Sequence, residues 1–311
     1  MPEPSALVSP GAPVPHPRGA RAYAALAAVC FFWGTTYLGI RMALESFPPI
    51  TLVAIRFTVS GSVLLLAAVL AGARMPRGRE LWTTAVTGIL LLGGGNACLV
   101  FAELWIPSGL AALIITISPF WMVGIEALMP GGERLRRATV LGMLVGCAGA
   151  GLLVSADLGS QSLGPGLLHG FLLLQLGNLC WGFGSVYYRR QETRAHPIVT
   201  GAVQQLAAGL VFIPIALLIP EQPMHPTFRG VAAICYLVVF GSIVGYSAYI
   251  YALSHLPVAV VSIYSYVNPV VAVFLGWLFY REPFGLREAT AMVIILVGVA
   301  IVKRYSPEGA H

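Results

Sequence analysis

Apolar residues run along this chain in blocks of about twenty, separated by short stretches carrying Arg, Gly and Pro. A helix rising about 1.5 Å per residue needs roughly twenty residues to cross a hydrocarbon layer of about 30 Å. By that measure the blocks predict transmembrane helices over 22–42, 49–72, 81–102, 107–128, 137–155, 166–188, 197–219, 229–252, 257–280 and 286–303. The turns 103–106 and 254–256 are so short that the helices on either side form antiparallel hairpins. Six prolines between Pro2 and Pro17 exclude a helix and leave no apolar core of signal-peptide type, so 1–21 reads as a flexible tail.

The second half of the pattern repeats the first. Trp33-Gly34 matches Trp181-Gly182 and Pro49 matches Pro197, both at an offset of 148 residues. Gly95 aligns with Gly245, Pro107 with Pro257 and Ser118-Pro119 with Asn268-Pro269 at 150, and Glu133 aligns with Glu282 and Gly149 with Gly298 at 149. The predicted fold is therefore an all-α integral membrane protein of ten transmembrane helices in two five-helix repeats, 22–156 and 157–304, followed by a short tail, 305–311. Five is an odd number, so the second copy must lie upside down, the inverted-repeat layout of many secondary transporters.

Composition agrees with this picture: 58% of residues are hydrophobic and only 10% charged, against roughly a quarter charged in a soluble domain. The net charge of +6 comes from short loops and not from one basic face, which argues against nucleic acid and for membrane orientation. With both termini in the cytoplasm, thirteen Arg and Lys lie inside and four outside, leaving Arg56 within a span. The five cysteines fall in apolar stretches without CxxC or metal-ligand spacing, so neither a disulfide framework nor a metal site is expected.

Candidate chemistry concentrates at matching positions of the two repeats. Pro119 and Pro269 sit near the middle of the fourth and ninth spans, where a missing backbone donor frees a carbonyl that lipid cannot satisfy. They are read as helix breaks that mark a binding site, with Ser118, Asn268 and Tyr264 alongside, although a proline also simply kinks a packed helix. Trp33 and Trp181 lie deep in their spans, away from the interfacial belt, and with Tyr246, Tyr249 and Tyr264 offer flat walls to an organic solute. The alternative is that these rings only fill a helix bundle. Asn96, at the position equivalent to Tyr246, follows Gly93-Gly94-Gly95. Arg56, paired by the repeat with Gln204, invites a role in meeting a substrate carboxylate; alternatively it snorkels or pairs with Glu45 or Glu103. Glu126 and His169 lie near span ends, and no acidic residue stands at mid-depth to suggest proton coupling. Gly142-xxx-Gly146 is a small-residue face for dimerisation or for packing within one chain, and monomer and dimer both stay open.

No nucleotide-binding loop, HExxH, GxSxG or paired acidic cluster appears, so neither ATP hydrolysis nor a common hydrolase chemistry is indicated and no cofactor is expected. The Trp-Gly of each first span, the Arg of the second, and the duplicated passages ending in Pro119…Glu133 and Pro269…Glu282 resemble the EamA family of the drug/metabolite transporter superfamily. The resemblance covers about 22–304 and implies a central cavity lined mainly by spans one, three, four, six, eight and nine, with spans five and ten peripheral. It further implies export of amino acids or related metabolites. More distant relatives take phosphorylated sugars with several deep basic residues, where this sequence offers only Arg56. A membrane-embedded receptor or scaffold, or an enzyme acting on lipids, is the competing reading. The expected partners are a small organic solute and the lipid bilayer.

Overall fold

The computed structural model describes residues 17–130, 136–155, 166–191, 194–256 and 264–305, and no strand occurs among them. The chain forms α1 (Pro17–Leu44), α2 (Pro49–Leu70), α3 (Arg79–Gly88), α4 (Ala97–Ala102), α5 (Ser108–Ile115), α6 (Ser118–Leu128), α7 (Arg137–Ser155), α8 (Gly166–Arg189), α9 (Pro197–Leu218), α10 (Phe228–Tyr236), α11 (Gly245–His255), α12 (Tyr264–Tyr280) and α13 (Leu286–Tyr305). Two π-helical segments, Ile89–Asn96 and Leu237–Val244, join α3 to α4 and α10 to α11. Seven helical segments are long and apolar enough to cross a membrane, and Arg137–Ala150 and Val267–Tyr280 form shorter apolar helices. Large apolar side chains stand open on the outer surface, Leu128, Leu217, Phe228 and Leu286 among them. In hydrocarbon such exposure carries no penalty, because lipid tails are as apolar as leucine.

Helices from the two halves pack against one another in a swapped pattern. α2 lies along α9 and α7 along α13; α1 packs on α12 and α11, while α8 packs on α6 and on the first π segment. Close approach depends on missing side chains. A Cβ at Gly298 would come within 2.5 Å of the Gly146 amide nitrogen and 2.7 Å of the Gly142 carbonyl oxygen. The small-residue face of the fifth predicted span is thus spent inside the chain, on α13.

Three helix starts are served by carboxylates distant in sequence. α2 and α5 begin after Pro48 and Pro107, which have no side-chain acceptor, so their first backbone N–H groups need partners from elsewhere. Glu221 accepts from the Ile50 and Thr51 amides at 2.8 and 2.9 Å and from the Thr51 hydroxyl at 2.8 Å. Glu282 accepts from the Ser108 amide and hydroxyl at 3.0 and 2.9 Å and from the Gly109 amide at 3.0 Å. Just ahead of α9, the Arg194 and Ala195 amides donate to Glu80 at 2.6 and 2.8 Å. Each bond joins the first half to the second and places a negative charge at the positive end of a helix.

Candidate functional site

The deep tryptophan of α1 sits at the centre of an aromatic cluster. The Trp33 ring centroid lies 4.9 Å from Tyr249, 5.2 Å from Tyr264, 6.0 Å from Trp181 and 6.4 Å from Tyr246. Tyr264 and Trp181 meet it edge-on at 87° and 85°, the arrangement that sets a ring's positive rim against a π face. Tyr249 also meets Tyr264 edge-on at 5.8 Å. Trp33, Trp181 and Tyr264 are half-buried, whereas Tyr246 and Tyr249 are buried.

The π segments make room for this cluster. Their i→i+5 bonds widen the helix, a distortion found often at functional positions. The Trp33 indole nitrogen donates to the Gly241 carbonyl at 3.1 Å, and a Cβ at Gly245 would stand 2.8 Å from that nitrogen. In the other repeat Trp181 lies against Gly95, where a Cβ would approach its ring to 3.1 Å. The two Trp–Gly contacts are equivalent under the repeat, which pairs Trp33 with Trp181 and Gly95 with Gly245.

Arg56 bridges both π segments. Its Nε donates to the Ser242 hydroxyl at 2.9 Å and one terminal nitrogen donates to the Asn96 side-chain oxygen at 3.3 Å. The guanidinium also stands over the Phe57 ring at 5.0 Å. At 4% exposure it is the only buried basic side chain among the described residues, and both hydrogen-bond acceptors are neutral. It does not snorkel. Nor does it pair with Glu45, which is held by Arg229 at 3.6 Å and accepts a short hydrogen bond from Tyr280.

The remaining predicted residues fall around this core with unequal roles. Gln204, the repeat partner of Arg56, is fully buried and accepts from the Tyr246 hydroxyl at 2.6 Å. Asn268 is buried; oriented by its neighbours, its amide nitrogen donates to the Cys30 and Tyr264 carbonyls at 2.9 and 3.1 Å, tying α12 to α1. Ser118 and Pro119 open α6 after an interruption at Thr116 and Ile117. Pro269 departs from the expected symmetry. It lies inside α12, which runs from Tyr264 to Tyr280 without interruption. Glu133 and Pro257 lie outside the described residues. Glu126 is held by Arg190 at 2.9 Å, and Arg190 also donates to the Pro130 carbonyl at 2.9 Å.

Sequence reasoning missed the acceptor Ser242 and the second π segment, and it named Glu103 only as a possible partner of Arg56, without its burial. The Gly93–Gly95 run hinted at a distortion in the first copy, but Leu237–Val244 carries no such mark. No group of three or more metal-ligating side chains occurs among the described residues.

Comparison with known proteins fits a duplicated transporter. The model of the EamA-like transporter family matches twice, over 20–155 and 168–304. The chain belongs to the EamA-like transporter family. Among relatives of this EamA-like protein, the "uncharacterized inner membrane transporter YedA" of Escherichia coli K12 is 35% identical over 90% of both chains. Protein PecM of Dickeya dadantii is 26% identical over 88% of this chain and 89% of its own. The aromatic amino acid exporter YddG of Ancylobacter novellus is 32% identical over 52% of this chain and 56% of its own. A solved crystal structure with 25% identity superposes with a TM-score of 0.68, covering 93% of this chain and 99% of the other. The EamA-like chain is thus an integral membrane transporter of a small solute, and its family is one of carriers and not of enzymes.

Proposed function

We propose that this chain is a secondary transporter of the inner membrane that exports an amino acid or a related amphipathic metabolite by alternating access. The observation that carries the reading is the five-ring cluster of Trp33, Trp181, Tyr246, Tyr249 and Tyr264, drawn from both repeats, with Arg56 anchored across the two π segments that shape it. The rings offer the solute's apolar part an aromatic surface, and Arg56 offers its carboxylate a cation whose present acceptors are neutral. Asn96, Ser118, Gln204 and Asn268 supply polar lining, and the interrupted backbone just before Pro119, with Pro269 inside the corresponding helix of the second repeat, supplies the moving parts. One buried arginine among the described residues favours a single carboxylate over a phosphorylated sugar. The exporter of aromatic amino acids among the relatives supports the same substrate class.

In this reading ten helices form two inverted repeats, 22–156 and 157–304, with both termini in the cytoplasm. Support comes from the two ends of the segment 108–128: Ser108 at its start bonds Glu282, while Pro130 beyond its end bonds Arg190. Pro130 and Glu282, three residues short of corresponding points of the two copies, therefore sit toward opposite ends of one apolar segment. Inverted copies that exchange conformations give two access states of similar energy.

Counterflow in proteoliposomes with a panel of aromatic, aliphatic and charged amino acids tests the proposal. Saturable exchange of an aromatic or other zwitterionic member supports it. Binding of such a solute without any exchange would favour a receptor instead.

A further inference from the structure

One ionisable group near the site takes no part in the arrangement described so far. Glu103 follows α4 in the turn that leads to α5, is only 4% exposed, and neither of its carboxyl oxygens has a hydrogen-bond partner. A buried carboxylate with no donor is among the least favourable groups a protein can hold. Its charged surroundings come from three directions. Tyr37 and Arg41 face it from α1, Arg56 from α2, and Glu282 from the turn before α13. Burial, reinforced by the Glu282 carboxylate, pushes the Glu103 carboxyl well above the usual range, and Arg41 and Arg56 only partly oppose this. Both arginines are engaged elsewhere, Arg56 on Ser242 and Asn96 and Arg41 beside Glu282 at 3.5 Å.

Helical spacing ties Glu103 to the solute site. Asn96, the acceptor for Arg56, lies seven residues earlier, about two turns and on the same face. Trp33, Tyr37 and Arg41 follow one another at i, i+4 and i+8 on one face of α1. Glu103 thus closes the end of the aromatic cluster at which Glu282 clasps the start of α5.

We propose that Glu103 is a proton site that gates this end of the carrier: protonated it lets α1, α4 and α5 stay packed, and it must give its proton to the adjoining water for that end to open. On opening, the carboxylate gains hydration and Arg41 or Arg56 as counter-charge; on closing, it takes a proton back from the same side. The proton leaves and returns on one face, so the gate makes the exchange rate depend on pH without moving net charge across the membrane. The inference rests on the carrier reading, in which this end faces outward.

Two measurements on the full chain test it, with Glu103→Gln as a permanent mimic of the protonated form. In counterflow with equal pH on both sides, wild-type exchange is expected to rise several-fold from pH 5.5 to 8.5. Exchange by E103Q is expected to be at least tenfold slower and flat across that range. In detergent, thermal unfolding reports the site without any transport. A carboxyl whose folded-state pKa is raised favours the fold below its unfolded pKa, and that stability is lost as pH rises through the folded-state value. The wild-type Tm should therefore fall as pH rises, and that of E103Q should not follow it. E103Q with the wild-type pH–rate profile, or with a Tm that declines in parallel, would overturn the proposal. If no solute exchanges, the carrier reading fails while the Tm comparison still decides the proton site.

Discussion

The Nε of Arg56 donates to the hydroxyl of Ser242 across 2.9 Å, linking a span of the first repeat to the π segment of the second. Without that bond and its companion to Asn96, a charge at 4% exposure would have no neutral anchor. The pair fixes one cation between two wide, irregular helical stretches. It follows that charge and geometry matter separately at this position.

Arg56→Lys keeps the charge but not the fork that reaches two acceptors at once. Stability should drop by about 1–2 kcal/mol through the loss of one charge-assisted bond. Counterflow of carboxylate-bearing solutes should weaken at least tenfold in apparent affinity. Unfolding in detergent and concentration-dependent exchange measure the two effects, and an unchanged affinity would remove Arg56 from the solute site.

At Trp33 the ring and the indole nitrogen can be separated. Trp33→Phe retains an aromatic surface and loses only the 3.1 Å bond to the Gly241 carbonyl, at a cost of about 1 kcal/mol. Exchange should persist at a reduced rate. Trp33→Ala removes the ring at the centre of the cluster and should abolish exchange in protein that remains monodisperse. Equal exchange by both variants would reduce the cluster to packing.

Glu282→Ala strips the start of α5 of the carboxylate that serves its Ser108 and Gly109 amides. With several charge-assisted bonds lost at a buried helix end, destabilisation of about 2–4 kcal/mol is expected. Thermal unfolding reads this directly. A loss below about 0.5 kcal/mol would mean that water replaces the cap.

Gly298→Ala forces a methyl to within 2.5 Å of the Gly146 backbone, so α7 and α13 must part. Overpacking of this kind costs about 1–3 kcal/mol. The contact lies away from the aromatic cluster, and the concentration giving half-maximal exchange should stay as in wild type. A shifted half-saturation would couple this peripheral pair to the site.

Single cysteines at the exposed Pro130 and Pro283, in a background with the five native cysteines replaced, test the inverted layout. An impermeant maleimide should reach them from opposite faces of the membrane. Labelling of both from one face would make the copies parallel and leave the alternating-access proposal without its symmetry.

Several residues show where sequence reading stopped. Arg56 was visible as the one basic residue inside a predicted span, and the paired tryptophans were visible through their common offset. Their partners were not, because Asn96 and Ser242 stand 40 and 186 residues from Arg56 and no local pattern records the meeting. Glu282 was legible as half of a duplicated proline-to-glutamate passage, but its service to the start of α5 was not. The expected equivalence of Pro119 and Pro269 misled, since identical spacing in two copies does not fix identical backbone. Glu103, named from the sequence only as a possible partner of Arg56, became conspicuous only when its burial was seen.

By itself the sequence determined the all-helical membrane character, the duplication and the family. In lipid each crossing segment must satisfy its own backbone, so a transmembrane helix is written in a local window of apolar residues. Only the tertiary structure decided which carboxylate caps which helix, how five rings gather around Trp33, and which acidic side chain is left without a donor. Those outcomes depend on close contacts between segments far apart in the chain, set by the packing of small residues and the search of each buried polar group for a partner.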